Sequence, residues 1–185
     1  DQLNIISASS DVTCFGSCNG LIDISVVGGT SPYTYYWSGP GVTTNAQDQS
    51  NLCAGDYSVA ILDNNNCYTT ESFVIDAPSF ITIAMSASQT GCHGNCTGSA
   101  TASPSGGTPP YTYEWSNGQS TATALNLCSE LQTVTVTDYY GCTAQNSIMV
   151  NQPTAMQFTN ITINDAECNG SSNGESIPVY PNISP

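Results

Sequence analysis

The chain has no lysine and no arginine, against fourteen Asp and Glu, and its formal net charge is −14 at pH 7. That absence removes whole classes of function. With one His as the sole ionisable nitrogen side chain, nothing can neutralise a phosphate backbone, and nucleic acid is excluded as a partner. A Schiff-base lysine and a phosphate-loop lysine are both missing. Adsorption to anionic lipid is disfavoured, a Lys–Asn isopeptide crosslink cannot form, and there is no trypsin-type cleavage site. Long apolar runs are absent as well: none reaches transmembrane length, so direct membrane insertion is not expected. Asp1 does not begin a signal peptide, and the chain reads as a mature or excised fragment. No window carries a helical apolar stripe.

What is present points to small folded units. Only 8% of residues are charged, which argues against an acidic disordered tail, and 39% are hydrophobic, with ten Tyr and two Trp to build cores. The polyanionic surface keeps copies apart and soluble. Nine Cys in 185 residues indicate disulfides and an oxidising, extracellular compartment.

Internal repetition sets the architecture. GGTSPYTYYW at 28–37 returns as GGTPPYTYEW at 106–115, CFGSCNG at 14–20 as CHGNCTG at 92–98, Asn51-Leu52-Cys53 as Asn126-Leu127-Cys128, and DNNNC at 63–67 as DYYGC at 138–142. The Cys14–Trp37 and Cys92–Trp115 spacings are both 23, and the Cys53–Cys67 and Cys128–Cys142 spacings are both 14. CNGSSNG at 168–174 opens a third copy. IDAP and VNQP mark the boundaries, giving repeats at 1–78 and 79–153 and an incomplete third at 154–185. That third part cannot bury a full core alone, and Cys168 lacks its expected partner within this fragment. No Gly/Ser linker separates the units, so a semi-rigid, elongated rod is expected.

Each repeat shows short runs with strand patterning, in repeat 1 at 3–9, 22–27, 33–37, 42–46, 56–62 and 72–76, separated by Gly, Pro and Asn turns. The fold expected is all-β: tandem Ig-like antiparallel β-sandwiches stapled by disulfides. Alternation puts Tyr33, Tyr35 and Trp37 on one face, and Tyr111, Tyr113 and Trp115 on its equivalent. Glu114 marks the opposite face, shared with Tyr36, as wet. The aromatic face is therefore read as core, with Val59, Ile61, Val134 and Val136 on the strand facing it. A sugar-stacking platform is the alternative use of aromatics, with Tyr36, Tyr139 and Tyr140 as its exposed candidates.

Four Cys per repeat allow three pairings. The third copy keeps Cys168, the equivalent of Cys14, but has Ser172 in place of Cys18, so Cys14 and Cys18 belong to different pairs. The pairing expected is Cys14–Cys67 with Cys18–Cys53, and Cys92–Cys142 with Cys96–Cys128. The outer bridge would close a loop of about fifty residues, worth on the order of 4 kcal/mol, to a domain whose core is small.

Other sites weigh less. His93 with Cys92 and Cys96 forms C-H-x-x-C, but Phe15 and Asn169 occupy the His position in the other copies, and no metal is assigned there. No nucleophile–base motif occurs, and Glu71, Glu114 and Glu130 have no acidic counterpart in the other full repeat, so no catalytic residue is assigned and no enzyme is expected. Asp63 and Asp138 recur four residues before a Cys and read as Asx caps of a hairpin. Calcium held by Asp63, Asn64 and Asn65, with Asp23 or Asp56, is the alternative; otherwise no cofactor is expected. N-x-S/T sequons occur at Asn95, Asn160, Asn169 and Asn182.

The sequence C-x-G-x-x-x-G, then GGT-x-PYTY-x-W, then N-L-C, then D-x-x-x-C, resembles the SprB-type repeat of very large cell-surface proteins of gliding Bacteroidota. The resemblance spans two full copies and the start of a third. It implies export by the type IX route, surface filaments, and attachment or gliding. Neighbouring repeats of the same chain or fibre are the expected partners, with surface glycans or other cells beyond them. A carbohydrate-binding module and an accessory domain of a secreted hydrolase are the other readings.

Overall fold

The computed structural model describes residues 2–157. Cys168, the start of the third copy, and the sequons at Asn160, Asn169 and Asn182 lie outside the described residues. Residues Asp1–Pro153 form one compact unit, in which all regular structure is β-strand.

Repeat 1 contains β1 (Asn4–Ser10), β2 (Gly20–Val27), β3 (Thr34–Ser38), β4 (Gln49–Leu52), β5 (Gly55–Leu62) and β6 (Tyr68–Ile75). Repeat 2 contains β7 (Thr82–Ser88), β8 (Gly98–Ser105), β9 (Thr112–Trp115), β10 (Thr123–Leu127), β11 (Leu131–Thr137) and β12 (Thr143–Met149). In each, one sheet has the order first–second–fourth and the other third–fifth–sixth, every pair antiparallel. That order, with the chain crossing between sheets after the second, third and fourth strands, is the Ig-like sandwich.

The cores follow the alternation. Ile22, Ile24 and Leu52 from one sheet meet Trp37, Tyr57, Val59, Ile61 and Phe73 from the other. In repeat 2, Ala100, Ala102, Ala124 and Leu127 meet Trp115, Val134 and Val136. Tyr33, Tyr35, Tyr111 and Tyr113 are half-buried against these clusters, while Tyr36 and Glu114 are exposed. Val59 and Ile61 do not face the aromatic strand. They lie beside it in the same sheet, in the pairs Trp37↔Val59 and Tyr35↔Ile61, and the facing layer is Ile22, Ile24 and Leu52.

One strand differs from the expectation. Residues 42–46 form a loop, and β4 begins later, at Gln49. Gln49 is buried and its side-chain amide accepts from Thr43 N (2.8 Å) and donates to Thr43 O (2.9 Å), pairing with the backbone as a strand would. Asn45 is left-handed (φ 66°), which ends any extended run there.

The repeated motifs have local causes. The second Gly of GGT is left-handed in both copies, Gly29 at φ +65° and Gly107 at φ +63°. A Cβ on Gly29 would stand 2.8 Å from Leu3 Cδ1 and 3.1 Å from Asp63 Oδ2, and one on Gly107 would stand 2.7 Å from Ile81 Cγ1 and 2.8 Å from Asp138 Oδ2. Both backbone and space therefore require glycine. The PYTY tyrosines close the same loop, Tyr33 OH donating to Gly28 O (2.7 Å) and Tyr111 OH to Gly106 O (2.6 Å). The indoles tie down the next one, Trp37 Nε1 donating to Ala46 O and Trp115 Nε1 to Thr121 O, both at 2.8 Å.

Candidate functional site: the junction between repeats

The two ends of the sandwich hold different cysteines. At one end, Val12 N donates to Asp76 O (3.1 Å), setting the β1–β2 loop beside the point where the chain leaves repeat 1. Cys14 and Cys18 sit in that loop, and Cys53 lies between β4 and β5 at the same end. At the other end Asp63 binds the GGT loop, and Cys67 follows it in the β5–β6 hairpin. Strand β5, eight residues long, separates Cys53 from that hairpin by about 27 Å at the usual strand rise.

The disulfides follow this division. Cys18 is bonded to Cys53, and Cys96 to Cys128, each within its own repeat. Cys14 is bonded to Cys142 of repeat 2, with a sequence separation of 128 and Cα atoms 5.7 Å apart. This corrects the expected Cys14–Cys67 and Cys92–Cys142 pairs. In each of them the cysteines lie at opposite ends of one sandwich, far beyond the roughly 7 Å Cα limit for a bridge. The exit end of repeat 1 instead meets the entry end of repeat 2, bringing the β1–β2 loop against the β11–β12 hairpin. Phe15 and Phe80 stack edge to face across this junction with centroids 5.7 Å apart. Cys14, Pro78, Ile81, Gly107 and Cys142 line the cleft around them. Cys67 and Cys92 are exposed and unpaired among the described residues.

The hairpin that offers Cys142 is fixed by one buried carboxylate. Asp138 accepts from Thr108 N through Oδ2, and from Tyr140 N and Cys142 N through Oδ1, all at 2.9 Å. Asp63 does the same with Thr30 N, Asn65 N and Cys67 N at 3.0, 2.9 and 2.8 Å. Burial pushes both carboxyls up, but the backbone amides outweigh it and hold them below the usual carboxylate range. These amides occupy the oxygens that a calcium ion would use. The Asn65 side chain donates through Nδ2 to Thr30 Oγ1 (2.9 Å). Asn64 is exposed. Among the described residues no cluster of three or more His, Cys, Asp or Glu is placed to hold a metal. At C-H-x-x-C, His93 is exposed, Cys96 is committed to its disulfide, and Cys92 is unpaired.

The exposed tyrosines do not form one surface strip. Tyr36 lies on the outer face of β3 in repeat 1, 57% exposed. Tyr139 and Tyr140 cap the hairpin of repeat 2, packed edge to face with centroids 5.0 Å apart and planes at 78°.

The sequence matches the family described as SprB repeat over residues 6–42 and 86–120, in each copy from the first strand past the PYTY-x-W tryptophan. The chain carries SprB-type repeats. Both matched segments are thus those of a surface repeat module. None of the curated proteins matches it. Among solved structures, it is similar to a C-terminal 282-residue fragment of intimin in complex with the intimin-binding domain of the translocated intimin receptor. That match has 15% identity, covers 80% of this chain and 63% of that one, and has a TM-score of 0.39. It is also similar to an amphioxus IgVJ-C2 molecule (13% identity, 81% and 96% covered, TM-score 0.31) and to Dpr11 IG1 bound to DIP-gamma IG+IG2 (11%, 82% and 99%, 0.35). At TM-scores below 0.5 these likenesses do not bear on function. No helix among the described residues is long and apolar enough to cross a membrane.

The SprB motifs and this structure coincide on the junction. GGT and D-x-x-x-C build the entry end of each repeat and C-x-G-x-x-x-G its exit end; GGT and C-x-G-x-x-x-G lie within the residues matched to the SprB repeat, and D-x-x-x-C lies outside them. The missed feature was which end each cysteine occupies. The signal was present in the eight strand residues between Cys53 and Cys67.

Proposed function

We propose that this SprB-repeat chain is a spanning segment of an extracellular surface fibre, in which tension passes from repeat to repeat through a covalent bond. Export by the type IX route and a role in attachment or gliding belong to the same reading. The observation that carries it is the Cys14–Cys142 bond. Tension entering at the N-terminus runs along β1 to Cys14, crosses to Cys142, and leaves through β12. Residues 15–141 then lie inside a closed covalent loop, and of the twelve strands only β1 and β12 lie on the line of pull.

Single-molecule pulling from the two chain ends tests this. In the Cys14→Ser variant, tension must pass through both sandwiches. The 128-residue span becomes extensible except for the 35- and 32-residue loops that stay closed. Full extension should therefore be longer than wild type by roughly 220 Å, at about 3.6 Å per residue. Equal extension of the two proteins would show that the bond does not carry the pull, and the reading would fail.

A carbohydrate-binding role has one observation in its favour, the exposure of Tyr139 and Tyr140 at 66% and 55%. Glycan-array binding abolished by Tyr139→Ala with Tyr140→Ala would support it.

A further inference from the structure

The two unpaired cysteines are not stray thiols. Cys67 occupies in repeat 1 the place that Cys142 occupies in repeat 2, and its hairpin is built the same way. Asp63 N donates to Cys67 O at 2.9 Å, and Asp138 N to Cys142 O at 3.0 Å. Asn64 N reaches Thr30 O at 2.9 Å, and Tyr139 N reaches Thr108 O at 2.8 Å. Cys92 likewise repeats Cys14. Ser17 N donates to Cys14 O (3.0 Å) and Asn95 N to Cys92 O (3.2 Å), around Gly16 and Gly94 at φ 78° and 80°. Thr90 N donates to Asn151 O (3.0 Å) as Val12 N does to Asp76 O (3.1 Å), so the β7–β8 loop sits at the exit end of repeat 2. The bonded pair is half-buried; the unbonded pair is exposed, with no partner among the described residues.

We infer that Cys92 and Cys67 are the two preformed halves of a further inter-repeat staple. Cys92 takes the hairpin cysteine of a following SprB repeat, and Cys67 takes the first-loop cysteine of a preceding one. A second copy of this chain offers both. Its entry-end Cys67 meets the exit-end Cys92 of the first, and each molecule keeps one half free for the next. The contact is heterologous and open, so it propagates as a linear chain and does not close into a dimer. It rests on the Cys14–Cys142 bond and on repeat equivalence, and it stands whether or not that bond carries tension.

The new junction is more polar than the existing one. By repeat alignment, His93 stands where Phe15 does, and Gln2 where Phe80 does, so the aromatic pair is not reproduced and the covalent bond must hold the contact. The chemistry is thiol–disulfide exchange. The Cys92 thiolate attacks a small-molecule disulfide such as oxidised glutathione and releases one glutathione thiolate. The Cys67 thiolate then displaces the second glutathione from the mixed disulfide. Two protein thiols are oxidised, one glutathione disulfide is reduced to two thiols, and two protons pass from protein to glutathione.

The test uses the full chain carrying Cys168→Ser, concentrated in a glutathione redox buffer at raised salt to screen the like charges. Non-reducing electrophoresis should show a ladder of multimers that reductant collapses, and peptide mapping with a non-tryptic protease should find Cys92 joined to Cys67. Adding Cys67→Ser or Cys92→Ser to that background should abolish the ladder. Mixing the two variants should give one heterodimer band and nothing larger, because each supplies a single half. Absence of multimers, an intramolecular Cys67–Cys92 bond, or symmetric Cys67–Cys67 and Cys92–Cys92 dimers as main products would overturn the inference.

Discussion

Asp63 and Asp138 show how a short motif encodes a junction. Each is a lone acid in a hairpin, and without Lys or Arg in the chain no cationic side chain of that kind can pair with it. Backbone amides do that work, and they bind the hairpin to the GGT loop through Thr30 and Thr108. The Asx-cap reading of these residues could be made from sequence because Asp binds amides two to four residues ahead. The long-range partners, thirty or more residues away, could not. Both carboxyls have pKa values lowered by folding, so their stabilisation is fully present above the unfolded value near 3.9. It is lost as pH falls through their lower folded values. The Asp63→Asn, Asp138→Asn double variant should therefore melt lower than wild type at pH 6, and the gap should shrink below about pH 3.9 as wild type loses the same charge. A gap that stays constant across that range, measured by circular dichroism, would mean that the ionised carboxylates are not what the hairpins need.

Most strands were legible. The runs at 22–27, 33–37 and 56–62 each fall on an observed strand, because alternation in a half-buried sheet leaves a period-2 trace. The fourth strand was not, since Gln49 builds its pairing with a side chain, which carries no periodicity. Tyr57 offers a further clue to topology: placed near the start of β5, its hydroxyl donates to Cys53 O at 2.8 Å, the corner that marks this strand in Ig-like sandwiches. In repeat 2 the equivalent position is Gln132, buried, donating to Glu130 Oε1 (2.9 Å) and accepting from Ser116 Oγ (3.2 Å). Recognising that corner puts Cys53 at one end of β5 and Cys67 at the other, which rules out the Cys14–Cys67 pair. The Cys18–Cys53 bond pins this corner to the start of β2. It closes 35 residues, so replacing both cysteines by Ser should cost about 3–4 kcal/mol by loop-closure entropy. Chemical denaturation would read this as a lower midpoint for repeat 1 with repeat 2 unchanged. An equal drop in both repeats would point instead to coupling through the junction.

Over the whole chain, fourteen carboxylates face no Lys or Arg, so the compact state holds its negative charge without internal compensation at pH 7. Like charges confined together oppose folding more than the same charges on an expanded chain, and salt screens them over about 8 Å at physiological ionic strength. Lowering the pH from 7 toward the isoelectric point near 4.1 removes this repulsion, while Asp63 and Asp138, with their lowered pKa values, remain ionised and keep their hairpins. Stability should therefore rise on mild acidification and fall below about pH 3.9, where the unfolded chain takes up protons that folded Asp63 and Asp138 still resist. Salt separates the contributions: added sodium chloride should raise the melting temperature clearly at pH 7 and hardly at all near the peak. If salt acts equally at both pH values, the repulsion is not what limits the folded state. The same repulsion acts between molecules, where it opposes chance aggregation and also slows end-to-end joining. A junction with no aromatic pair to draw it together then depends on its cysteines, and its rate of formation should climb with ionic strength.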